Sequence, residues 1–160
     1  MKLIKSAITY KAEIPTDADT LHTHLSERTF TECLPTQLQS AGFVPPREGD
    51  KLVAEFPGGL AFSLRVDTKL IPAAVVKKAV EEKVAALVDQ TGGKVPKKIR
   101  TEIKEGVVAE LALTAFVRTV VVTCYYWAEA KHLIVATTNS KLADLATSLL
   151  VACVGSVKTE

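Results

Sequence analysis

Long apolar runs are missing from this chain: stretches such as Val120-Val121-Val122 are far too short to span a bilayer. The start, Met1-Lys2-Leu3-Ile4-Lys5, has no apolar core of a secretory signal. Both absences lead to the expectation of a cytosolic protein with no membrane partner. Cysteine is scarce as well. Cys33, Cys124 and Cys153 are odd in number, widely spaced and set among apolar neighbours, so no zinc spacing is present and reduced core thiols are expected. His22 and His24 flank Thr23 on a predicted helix and project about 200° apart, a poor grip for one metal, and His132 falls in a turn. No Ser/His/Asp order, glycine-rich phosphate loop or internal repeat is visible, and no cofactor is expected.

What is present is enough for a core. The 160 residues are 48% hydrophobic, which fits a single domain over residues 1–160 burying roughly 70% of its unfolded surface. The net charge of +2 conceals an asymmetry. From Lys69 to Lys104 nine basic residues stand against four acidic ones, a balance of +5 that leaves −3 for the rest. A domain with one positive side favours polyanions, nucleic acid first.

Residues 2 to 10 alternate and contain Ile4, Ile8 and Tyr10, which predicts a first strand. A helix from Asp17 to about Arg28 follows, with Thr16 as its expected N-cap. Residues 31 to 49, with Pro35, Gly42, Pro45 and Pro46, read as a structured loop. A hairpin of Leu52 to Phe56 and Leu60 to Val66 turns at Pro57-Gly58-Gly59. Pro72 opens a helix to about Gln90 with Val76, Val80, Val84, Leu87 and Val88 on its buried stripe, and Gly92-Gly93 ends it. A second helix runs from Pro96 to about Thr114 through Gly106. Strands from Phe116 to Trp127 and Leu133 to Thr137 precede a last helix, Lys141 to about Val154, capped by Asn139 or Ser140. The fold class is therefore α+β, antiparallel sheet hairpins with packed helices in the order β-α-β-β-α-α-β-β-α.

The basic segment supplies the candidate site. Lys97, Arg100 and Lys104 share one helix face, with Ile99 and Ile103 pointing roughly the opposite way. Cations in a first helical turn oppose the macrodipole, and phosphate oxygens would relieve that conflict by binding both the side chains and the free N–H groups. The alternative is a solvated basic face paired with Glu102 and Glu105. Tyr125, Tyr126, Trp127 and Phe116 could stack on bases, although core packing is the simpler role for most of them. Phe116, at a helix-to-strand junction beside Arg118, stands apart. Glu55, Asp67 and Lys69 have the acid, acid-x-Lys arrangement that holds Mg²⁺ in some nucleases; such spacing also arises by chance.

Ordered landmarks add a further inference: Phe30 with Cys33, Gly42-Phe43-Val44-Pro45-Pro46, Lys69 with Pro72, the Lys77 to Val84 helix, Lys104, Ala115-Phe116, Trp127, Leu133-Ile134 and Gly155-Ser156. In order and spacing they resemble the front half of the RdgC family, whose members usually carry Trp where Phe43 stands. The resemblance implies a sequence-independent DNA-binding protein of recombination, nucleoid-associated in the cytoplasm. It also implies a ring-forming homodimer or higher oligomer around double-stranded DNA that restrains a RecA-type recombinase. The family also carries an exonuclease label. By this resemblance and the charge pattern together, the DNA-binding residues are Lys77, Lys78, Lys94, Lys97, Lys98, Arg100, Lys104, Phe116 and Arg118, with no catalytic or metal residues. Typical members are about twice as long as this chain. Two alternatives stand beside it: a metal-dependent exonuclease using Glu55, Asp67 and Lys69, and a protein-interaction inhibitor of a host recombination or defence factor.

Overall fold

The computed structural model describes residues 6–155. Its elements are β1 (Ile8–Lys11), α1 (Ala18–Leu25), β2 (Gln39–Val44), β3 (Val53–Phe56), β4 (Gly59–Lys69), α2 (Ala73–Thr91), α3 (Lys97–Ala112), β5 (Val117–Trp127), β6 (His132–Val135) and α4 (Ser140–Val154). The expected α+β class and element order hold, and the segment expected as a loop contributes one further strand, β2. Of the expected first strand, residues 2–5 with Ile4 lie outside the described residues, as does Ser156. The strands hydrogen-bond in the order β1-β6-β5-β4-β2, with β3 paired to β4. Among the described residues no helix is long and apolar enough to cross a membrane.

The chain divides into two compact units, residues 1–31, 41–66 and 119–160 in the first, 32–40 and 67–118 in the second. The core of the first follows from strand alternation. Leu60, Phe62, Leu64 and Val66 of β4, Val122, Cys124 and Tyr126 of β5, and Leu133 and Val135 of β6 bury against Leu21 and Leu25 of α1 and Ala143, Ala146, Leu150 and Cys153 of α4. Each large aliphatic or aromatic side chain so buried contributes about 1.5–3 kcal/mol before the entropy of ordering it. Tyr126 is fully buried, and its phenol donates to the Ala12 carbonyl (3.0 Å) while accepting from the Ile14 N–H (3.4 Å).

Local chemistry sets the helix ends. Asp17, one residue later than expected, caps α1 by accepting from the Thr20 N–H at 3.1 Å and the Thr20 hydroxyl at 2.6 Å. The carboxylate of Asp17 reaches the free N–H, so the cap falls there rather than at Thr16. Asn139 caps α4 by accepting from the N–H groups of Lys141 and Leu142. The two α1 histidines serve structure: Nδ1 of His22 accepts from the Leu52 N–H at 3.0 Å, and Nδ1 of His24 lies 3.2 Å from the Cys153 carbonyl.

Gly42 marks a close approach on β2. A Cβ there would stand 2.4 Å from the Phe30 Cα, and this close approach lets Thr29 bridge Phe43 in parallel with the Phe30 N–H donating to the Phe43 carbonyl. Phe43, fully buried, meets Phe62 edge-on at 6.0 Å. The block that carried most of the sequence landmark is thus core and close packing.

In the second unit, α2 and α3 form a helical hairpin. Gly92 ends α2 with a left-handed φ of 70°, its N–H donating to the Val88 carbonyl at 2.7 Å; α3 continues unbroken through the exposed Gly106. Its buried apolar side chains are few: Val76, Val84, Val107 and Ala112. Val80 and Leu87 are only half-buried, and Val88, expected on the stripe, is exposed. Lys83 and Glu110 link the helices at 3.3 Å, an exposed pair worth little on its own.

Candidate nucleic-acid interface

All nine expected DNA-binding residues are exposed, and all nine lie in the second unit. That unit as a whole is only slightly basic, with ten Lys and Arg against eight Asp and Glu. Its positive charge is concentrated at the hairpin turn. From Gln90 to Thr101 the chain carries Lys94, Lys97, Lys98 and Arg100 and no acid.

The start of α3 reinforces this pole. Its N-cap is Pro96, which makes no side-chain cap bond, the first turn holds no acidic residue, and the first helical bond is Arg100 N–H to the Pro96 carbonyl at 3.1 Å. The N–H groups of Lys97, Lys98 and Ile99 therefore precede the intrahelical ladder. Lys97, Arg100 and Lys104 occupy the exposed face while Ile103 is half-buried and Val107 buried. Ile99, expected opposite the cations with Ile103, is 36% exposed.

Lys77 and Lys78 stand elsewhere on the hairpin. They lie fourteen and thirteen residues before the end of α2 at Thr91, about 20 Å along the axis from the turn at 1.5 Å per residue. That span equals roughly six base pairs at 3.4 Å each. Beyond the helices, Phe116 is 84% exposed and its carbonyl accepts from the Leu70 N–H at 2.8 Å, which fixes its backbone. Arg118 is also exposed, and Leu70, Leu113 and Val117 add exposed apolar surface in the same unit.

The structure does not assemble the residues of the nuclease arrangement. Lys69 Nζ is engaged by the carbonyls of Leu34 (2.9 Å) and Pro35 (2.5 Å), which it ties down. Asp67 is buried, with its carbonyl 3.8 Å from Cys33 Sγ. Glu55 stands opposite Leu60, seven residues before Asp67 on β4. Among the described residues no group of three His, Cys, Asp or Glu could hold a metal ion. Nor do the aromatics act as one set. Tyr126 is core, Tyr125 half-buried, and Trp127 and Phe116 exposed. The tie of Lys69 to residues 34 and 35 had no sequence signal, since it depends on a contact across the fold.

The first unit carries an antiparallel sheet packed against α1 and α4, the second a helical hairpin with its cations concentrated at the turn, and together they define an α+β protein. Residues 3–160 match the family described as "Putative exonuclease, RdgC", and the chain belongs to the RdgC family. Three relatives are each called a recombination-associated protein RdgC. That of Halorhodospira halophila is 35% identical over 133 residues, 82% of this chain and 44% of the relative. That of Tolumonas auensis is 29% identical over 143 residues, 88% and 47% respectively, and that of Actinobacillus pleuropneumoniae 29% over 157 residues, 96% and 52%. The chain spans about half the length of the curated relatives it matches.

Proposed function

We propose that this chain is a non-catalytic, sequence-independent DNA-binding protein of recombination that grips the phosphate backbone of duplex DNA through the α2–α3 hairpin. The observation that carries the reading is the acid-free run Lys94, Lys97, Lys98 and Arg100 at the start of a helix whose first turn has no side-chain cap. Phosphate there meets both cationic side chains and main-chain N–H groups, and such contacts carry no base information. Lys77, Lys78, Lys104 and Arg118 extend the track, and Phe116 offers an apolar edge beside it. A duplex held in this way is less accessible to a RecA-type recombinase, and restraint of that enzyme follows from occupancy. The relatives' names, which tie them to recombination, support this assignment, and the same reading places the protein on the nucleoid.

Titration of fluorescent duplexes of unrelated sequence at several salt concentrations tests it. Six phosphate contacts give a log-log salt slope of about −5. A Lys97/Arg100/Lys104→Ala triple variant is expected to bind all sequences more weakly by a similar factor and to flatten the slope by about 2–3. A slope unchanged by the triple substitution would remove the hairpin from the mechanism.

One observation favours protein contact as a second reading. Leu70, Leu113, Phe116 and Val117 are each at least 45% exposed, and apolar surface gathered in one unit suits a second copy of the chain or another protein. Sedimentation of the wild type and of Phe116→Ser over a range of concentrations distinguishes this from a role at the DNA edge. Loss of association in the variant supports the protein contact, and a monomer in both sinks it.

A further inference from the structure

β3 pairs with β4, from Val53 opposite Phe62 to Phe56 opposite Gly59, and with no other strand among the described residues. A cavity of about 610 Å³ within the first unit is lined by Val53, Ala54 and Glu55 of this strand. Successive strand residues point to opposite faces, so a cavity that touches all three runs along the edge of β3 rather than over one face. The edge toward β4 is closed by pairing, which leaves the other one. Asp19 and His22 of α1 and the segment from Pro46 to Lys51 form the remaining walls. His22 sets their position: its Nδ1 accepts from the Leu52 N–H at 3.0 Å, one residue before the strand begins, and so pins the start of β3 to α1.

The volume falls within the range of about 300–1,000 Å³ usual for ligand sites, and the strand edge narrows the kind of occupant. Its N–H and C=O groups recur at the rise of an extended chain, about 3.3 Å per residue, a pattern that another strand matches and a compact ligand does not. β3 is four residues long, about 13 Å at that rise. Charge narrows the occupant further. Asp19, Glu48, Asp50 and Glu55 stand against Arg47 and Lys51, four carboxylates to two cations, a balance of −2 carried on exposed side chains. An incoming Lys or Arg is attracted, and an acidic or phosphorylated segment is repelled. Nucleic acid, a polyanion, is disfavoured here for the same reason.

We infer that the open edge of β3 is a docking site for an extended basic segment of another protein. The segment adds a strand to the sheet through main-chain bonds, and its Lys or Arg side chains meet Asp19, Glu48, Asp50 and Glu55. This goes beyond duplex binding by the hairpin and does not depend on it.

The full chain is titrated at low salt with a capped hexapeptide of alternating Lys and Val, followed by amide NMR shifts and amide hydrogen exchange. Saturable shifts at β3 and slower exchange of its amides are expected. Neither should appear with the same peptide carrying Glu in place of Lys, nor with the basic peptide methylated at every main-chain nitrogen. Asp50→Lys/Glu55→Lys should weaken the basic peptide roughly tenfold, and Glu55→Gln, a milder change at an exposed position, should weaken it less. The Lys97/Arg100/Lys104→Ala variant should bind the peptide as the wild type does, which separates failure of the hairpin reading from failure of this one. Equal binding of the methylated peptide, or of spermine, which has charge but no peptide groups, would reduce the site to a counterion surface and overturn the proposal. Equal binding of the acidic peptide, β3 amides that do not respond, or an affinity unchanged in Asp50→Lys/Glu55→Lys would overturn it as well.

Discussion

At the scale of single residues, the side chains that matter most to the fold are those whose polar atoms or missing atoms have no substitute. Tyr126 is buried and satisfies both the Ala12 carbonyl and the Ile14 N–H, so Tyr126→Phe keeps the ring and strands two main-chain groups. A loss of about 1–3 kcal/mol follows, measured as a lower urea midpoint at an unchanged m value; a shift within error would mean that water replaces the phenol. The same logic sorts the cysteines. Burial pushes the Cys124 thiol up to about 12 and also raises that of Cys153, and inert core thiols are what their apolar sequence neighbours announce. Cys33 is half-buried beside the Asp67 carbonyl, and that difference was not legible in the sequence, since it depends on a partner thirty-four positions away.

At the scale of elements, Asp17 couples α1 to pH. Hydrogen bonds from the Thr20 hydroxyl and then the Thr20 N–H hold its carboxyl below the ordinary value of 3.8. A carboxylate with a depressed folded-state pKa adds stability that is fully present above the unfolded value and is lost as pH falls through the folded one. Thermal denaturation between about pH 5 and pH 2 should therefore lose an acid-sensitive component in Asp17→Asn, which still caps the helix, while Asp17→Ala is weaker at neutral pH as well. An acid profile of Asp17→Asn identical to the wild type would remove Asp17 as a contributor. Elements with strong local signals were legible: α2, α3 and α4 from their periodicity and their Pro, Gly and Asn ends, and β5 from its β-branched run. β2 was not. Gln39 to Val44 holds a glycine and little alternation, and it becomes a strand through its pairing with β4, a contact distant in sequence. The cationic pole of the hairpin was readable from charge alone.

At the scale of the whole molecule, the two units are stabilised unequally. The first has a contiguous core drawn from strands and two helices, while the second buries four apolar side chains across its helical hairpin. An element with so little buried apolar surface opens at a free energy below that of global unfolding. Native-state hydrogen exchange should accordingly show α2 and α3 amides exchanging through local opening, well before those of β4, β5 and β6. If phosphate binding resides on the hairpin, duplex DNA binds its closed form only, and at a hundred times the dissociation constant it adds about 2.7 kcal/mol against opening. The α3 amides should then slow by roughly a hundredfold. Slowing of that size in α3 that is absent from the Lys97/Arg100/Lys104→Ala variant would tie the least stable element of the fold to the ligand that stabilises it. Protection of α3 already equal to that of β5 in free protein would mean that the second unit draws its stability from more than its own thin core.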